Sequence, residues 1–240
     1  SMGGLLDGAK RKVWGIINEM SRGKPEPKVR MGLVAYRDRK DQYVTQITPL
    51  SGELDPVYEK LLALHANGGG DGPEDVLKAL QHAVAEAGWS EGGHVLRVIY
   101  LVGDAPPHLE YKDVPTYQET VKKAVARGIH VNTIRCGSDA QTGTVWRDIA
   151  ARGEGRFFTI DQSGGVQVVE TPYDAEIEKL QAKLEGTTLS YGAKAEESRE
   201  AVASGRRMAA MGAATSAMAD RAVLKSKAAL SSERALLEAV

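Results

Sequence analysis

The chain has 240 residues, with 31 Lys and Arg against 32 Asp and Glu, a formal net charge of −1. That length builds one sizeable core plus an appendage, and the balanced charge removes the electrostatic case for nucleic acid or an anionic membrane. The one cysteine, Cys136, excludes an intrachain disulfide, and no apolar run is long enough to span a bilayer.

Leu5, Leu6, Ala9, Val13, Ile16, Ile17 and Met20 recur at helical spacing and predict an amphipathic helix ending near Ser21-Arg22-Gly23. A doubly wound sheet normally opens with a strand, so a chain opening on a helix is expected to lack a founding strand. Few gaps are allowed in parallel connections, which places the expected vacancy in mid-sheet. Val29 to Tyr36 reads as an interior strand, Arg37 to Asp41 as a polar turn, and Tyr43 to Ile47 as an edge strand returning in a hairpin. Leu54 to Leu64 is a short helix.

Gly68-Gly69-Gly70-Asp71-Gly72-Pro73-Glu74-Asp75 then forms a glycine-rich acidic loop. Proline suits a first helical position, so the next helix is expected from Pro73, with Val76, Leu77, Leu80, Val84 and Ala87 inward. Val95 to Val102 is continuously apolar apart from Arg97 and predicts a strand buried on both faces. Gly103 ends it, and Pro106 prevents its return to the ladder. Asp104 is thereby left at the carboxyl edge of the sheet, where open α/β sheets place ligands. Thr116 to Arg127 is a helix closed by Gly128, Ile129 to Ile134 a strand, Thr144 to Ala151 a helix, Phe157 to Ile160 a strand and Ala175 to Leu184 a helix with Ile177, Leu180 and Leu184 inward. This alternation predicts an α/β fold, a doubly wound Rossmann-like sheet with helices on both faces. Residues 1–192 form that domain. Residues 193–240 are Ala-rich and predict one or two helices with a weak apolar stripe that includes Met208, Met211 and Met218, a helical C-terminal tail.

Two acidic loops that meet at one sheet edge suggest a divalent cation site. Each also has a plainer reading: Asp71, Glu74 and Asp75 suit a helix start, and Asp104 suits an Asx-turn before Pro106. His65, His82, His94, His108 and His130 lack zinc-ligand spacing, and His108, near the proposed site, reads as a solvated loop residue. The glycine loop lacks the Gly-Lys-Ser/Thr of a phosphate loop, and Ser138 and Ser190 have no evident His and Asp partners. Catalysis therefore has no support, and the chain reads as a non-enzyme. Cys136, at a strand end, reads as an inert packed thiol.

The order of strand, Gly103-Asp104-Ala105-Pro106-Pro107-His108 and helix, after the loop Asp71-Gly72-Pro73-Glu74, resembles the von Willebrand factor A domain, bacterial members above all. Tyr36-Arg37-Asp38 and Thr171-Pro172-Tyr173-Asp174 fit the same group. Ser1-Met2-Gly3-Gly4-Leu5-Leu6 looks like the tail of the family's first metal loop, with its Asp and Thr missing. The resemblance covers roughly residues 1 to 192 and implies a metal-ion-dependent adhesion site holding Mg²⁺, or Mn²⁺ or Ca²⁺. It implies Asp104 and Glu74 as anchors, Asp71 as support or alternate ligand, and Ser1 as a hydroxyl donor. The set is expected to be incomplete without the founding Asp and Thr. An adjacent second metal site is not implied, because its acidic pair would fall at Gly4-Leu5. The implied function is protein binding through an acidic group of the partner. Two other readings stay open: a metal-independent scaffold acting through the C-terminal helices, and a Rossmann-like nucleotide-binding enzyme.

Overall fold

Alternating apolar and polar residues make β4 (Ile129–Cys136) a strand with one buried face: Ile129, Val131 and Thr133 point inward while His130, Asn132 and Ile134 do not. The computed structural model describes residues 2–66, 72–161 and 195–225, with isolated positions between 173 and 183. Along the chain the elements are α1 (Gly3–Met20), β1 (Met31–Tyr36), β2 (Thr45–Ser51), α2 (Leu54–Leu62), α3 (Val76–Glu86), β3 (Arg97–Gly103), α4 (Tyr117–Ala126), β4, α5 (Ala140–Arg152), β5 (Phe157–Ile160) and α6 (Ala195–Ala210). A further helical segment runs over 215–225. The helix expected over Ala175–Leu184 lies largely outside the described residues, and Leu180, expected inward, is exposed.

The strands are β3-β4-β5, all parallel, and a β1-β2 antiparallel hairpin. Among the described residues β1 pairs only with β2, and β3 only with β4, so the break in the sheet falls between β1 and β3. There the Tyr36 hydroxyl donates to the Val102 carbonyl at 2.7 Å. Gly103 has no room for a side chain, since a Cβ would meet Tyr36 Oη at 2.5 Å and Trp146 Cζ2 at 3.0 Å.

Packing groups the chain into two units. The first comprises Ser1–Leu6, Arg30–Ser51 and Leu64–Val166. Its core joins α3, α4 and α5 to β3 and β4 through Val76, Leu80, Leu101, Val121, Ile129, Val131, Trp146 and Ile149. Burying each such side chain contributes about 1.5–3 kcal/mol. The second comprises Asp7–Val29, Gly52–Ala63 and Gln167–Val240. Here Trp14 and Tyr58 meet edge to face, and Met208, Ala217 and Met218 are buried. Met211 breaks the expected methionine stripe, being 43% exposed. Asp55 and Arg221, both buried, form a two-bond ion pair at 2.8 and 2.9 Å, with Lys225 at 3.2 Å.

Three expectations are corrected. The central strand is not buried on both faces: Tyr100 is 60% exposed, because α3, α4 and α5 cover the opposite face. Strand β2 continues past Ile47 through Pro49, which an outer strand tolerates because no ladder bond there needs its N–H. A register shift opposite Gly32 absorbs the irregularity. Finally, the helix after the glycine loop starts at Val76 rather than Pro73, with Asp75 as its N-cap.

Candidate functional site

The shift of that helix start sets the site. Asp75 Oδ1 accepts from the Lys78 amide at 3.0 Å, satisfying one of the orphan donors of the first turn. Glu74 is thereby kept out of the helix. Its backbone pairs instead with the loop after β3: the Glu74 amide donates to the Pro106 carbonyl at 3.1 Å, and the His108 amide donates to the Glu74 carbonyl at 3.2 Å. This short parallel bridge ties the acidic loop to the segment that carries Asp104. The Asp104 carbonyl lies 3.5 Å from the Thr142 hydroxyl, at the start of α5.

Glu74 and Asp104 therefore belong to one rim of the first unit. Burial pushes the Glu74 carboxyl up to about 7, and the charges of Asp41, Asp38 and Asp104 push the same way, against a backbone hydrogen bond from Asp38. Glu74 Oε2 is a buried oxygen without a hydrogen-bond partner. Cys136, nearby at the end of β4, is buried and its thiol is raised to about 11 by burial and by the Asp104 charge, so it is held as an inert thiol. Ser1 and Asp71, the other two residues singled out from sequence, lie outside the described residues.

The turn after β1 supplies what the sequence reading passed over. Asp38 accepts from the Tyr111 hydroxyl at 2.8 Å, and His108 Nε2 lies 3.4 Å from the same oxygen. His108 is buried, not solvated, because its ring stacks on Tyr111 at 4.6 Å and its Nδ1 meets Glu110. On the Tyr111 ring lies the Arg39 guanidinium, 3.6 Å from the ring centre. Arg39 also binds buried Asp75 and exposed Asp113, each at 2.8 Å. The turn 37–41 is thus clamped, with Asp38 and Asp41 held where their charge reaches Glu74. Only the alternation of Arg and Asp in Arg37-Asp38-Arg39-Lys40-Asp41 signalled it, and that pattern is shared by solvated turns.

Chemically, the rim offers oxygen donors, repulsion among carboxylates and one orphaned buried oxygen. These suit a hard divalent cation, which would relieve all three. Among the described residues no three or more His, Cys, Asp or Glu side chains are grouped so that they already hold a metal ion.

A sequence model of the von Willebrand factor A domain matches residues 1–172. The chain belongs to the von Willebrand factor A domain family. Domains of this family are protein-interaction modules, and the α/β architecture with its parallel sheet agrees. No curated protein matches the chain by sequence. Among solved structures, the chain is similar to the VWA domain of SpRpn10, at 16% identity over 68% of this chain and 86% of that one, with a TM-score of 0.46. It is also similar to proximal thread matrix protein 1 from the mussel byssus, at 14% identity over 79% of this chain and 55% of that one, with a TM-score of 0.49. No helix among the described residues is long and apolar enough to cross a membrane.

Proposed function

We propose that the von Willebrand factor A domain formed by this chain binds a protein partner through a divalent cation, Mg²⁺, Mn²⁺ or Ca²⁺, held at the Glu74–Asp104 rim. Glu74 and Asp104 would hold the ion, with Asp71 and Ser1 as further oxygen donors. Bound there, the cation would supply an open coordination position for an acidic side chain of the partner. The observation that carries this reading is Glu74 Oε2, buried and unpartnered beside a rim of other carboxylates. A protein does not ordinarily leave such an oxygen unsatisfied, because the lost hydration costs about 1–3 kcal/mol. Turnover is no part of this reading, since the rim presents no nucleophile paired with a base.

The alternative, a metal-independent scaffold working through the C-terminal helices, has less support. Met208, Met218 and Arg221 are spent on the core of their own unit and are not presented to a partner.

Calorimetric titration of the chain with MgCl₂ tests the proposal. The expected result is saturable binding that weakens at least tenfold in both Asp104→Ala and Glu74→Gln. Unchanged affinity in both variants would contradict it.

A further inference from the structure

The first unit carries a second feature on the same side of the Arg39 clamp. An open cleft of about 710 Å³ is lined by Lys112, Val114, Pro115, Lys122, Lys123 and Ala126, together with Asp113 and Glu119. Its floor is aliphatic and its three lysines are exposed. The two acids of the lining are already engaged. Asp113 is bonded to Arg39 at 2.8 Å, with Lys78 close enough to lower its pKa further. Glu119 closes the capping box of α4, accepting from the amide and the hydroxyl of Thr116. Lys112, Lys122 and Lys123 form no ion pair among the described residues. A chain of net charge −1 thus displays a local cationic groove whose own carboxylates are turned to other work.

We propose that this groove docks an acidic peptide stretch of a protein partner, its carboxylates meeting Lys112, Lys122 and Lys123 and its small apolar residues lying on Val114, Pro115 and Ala126. The chemistry selects against the other polyanions. The described lining has no aromatic ring on which a base would stack. Phosphate recognition favours arginine forks or free helix-start amides, but Arg39 is committed to two carboxylates and the α4 start is capped. Lysines act as solvated point charges, which suits dispersed carboxylates at a rim and gives an affinity that falls with salt. The groove and the Glu74 rim share a wall, because Arg39 joins Asp113 of the one to Asp75 beside the other. The groove nevertheless works without any cation, so this inference stands apart from the metal proposal.

The test is fluorescence anisotropy of the full chain with a labelled peptide of eight glutamates interspersed with alanines, in EDTA. Binding is expected at low salt and should weaken at least tenfold by 0.3 M NaCl. The triple variant Lys112→Glu, Lys122→Glu, Lys123→Glu should weaken it at least tenfold. A control triple at other exposed positions, Lys24→Glu, Lys28→Glu, Arg206→Glu, makes the same change in net charge and should alter it less than threefold. Equal losses in the two triples would overturn the proposal by showing undirected attraction. So would tighter binding of a single-stranded oligonucleotide of matched charge, or peptide binding that appears only when Mg²⁺ replaces EDTA. Failure of the metal proposal, by contrast, would leave all these EDTA results in place.

Discussion

Glu74 is the residue at which sequence, packing and charge meet. Its carboxyl holds a proton more tightly in the folded chain than in the unfolded one, with a pKa of about 7 against an ordinary 4.5. The folded state therefore binds more protons than the unfolded state between those values, and stability falls as pH rises through that window. Below it, both states are protonated and the penalty vanishes. Glu74 is only half-buried, so solvent screening reduces the effect to about 1 kcal/mol. Glu74→Gln is expected to raise stability by that amount at pH 8 in EDTA and to leave it unchanged at pH 4, read by urea denaturation at both. A variant equally destabilised at the two pH values would show that the carboxyl serves packing instead. The same residue shows the reach of sequence reading. Gly-Asp-x-Pro-Glu marked Glu74 as special, but not that its backbone would pair with Pro107. That pairing is a contact across the fold, invisible to local spacing.

At the scale of elements, the apolar periodicities located α1, α3, α4, β4 and β5 to within a few residues, because one-sided burial imposes its period on the sequence. Caps account for much of the rest. Asp139 accepts from the Thr142 amide and starts α5 at Ala140, ahead of the apolar stripe from which Thr144 was expected as the first residue. Strand β3 was expected to be buried on both faces because a run of branched apolar residues does not reveal which neighbours are present. The tail was legible as helix but not as core. What anchors it in its own unit is a charge pair, and Arg221 looks like any other surface arginine in the sequence. Burial alone would raise the Asp55 carboxyl, yet the bonds and charges of Arg221 and Lys225 hold it below its ordinary value. Arg221→Ala leaves that carboxylate buried with only Lys225, and is expected to cost about 3 kcal/mol. The paired change Asp55→Leu with Arg221→Met should recover most of the loss in thermal unfolding. If Arg221→Ala alone were neutral, the pair would not be what anchors 215–225 in that unit.

For the whole molecule, each unit is described best by what its core excludes. The first keeps its apolar mass on one face of β3-β4-β5 and gathers charge along the rim where Glu74, Asp104, Asp38 and Asp41 influence one another. The second buries its most apolar aromatics together with one ion pair. Family membership assigns the chain to protein interaction, and the proposed cation at the rim would supply the chemistry of capture. Electron paramagnetic resonance of added Mn²⁺ measures this most directly, because bound ion loses the free-ion signal. The chain should take up Mn²⁺ to a saturating value of about one ion per molecule, as a single small carboxylate site would, and Asp104→Ala should abolish the uptake. Equal uptake by the chain and by Asp104→Ala, or a free-ion signal undiminished by either, would contradict the assignment of the rim as a cation site.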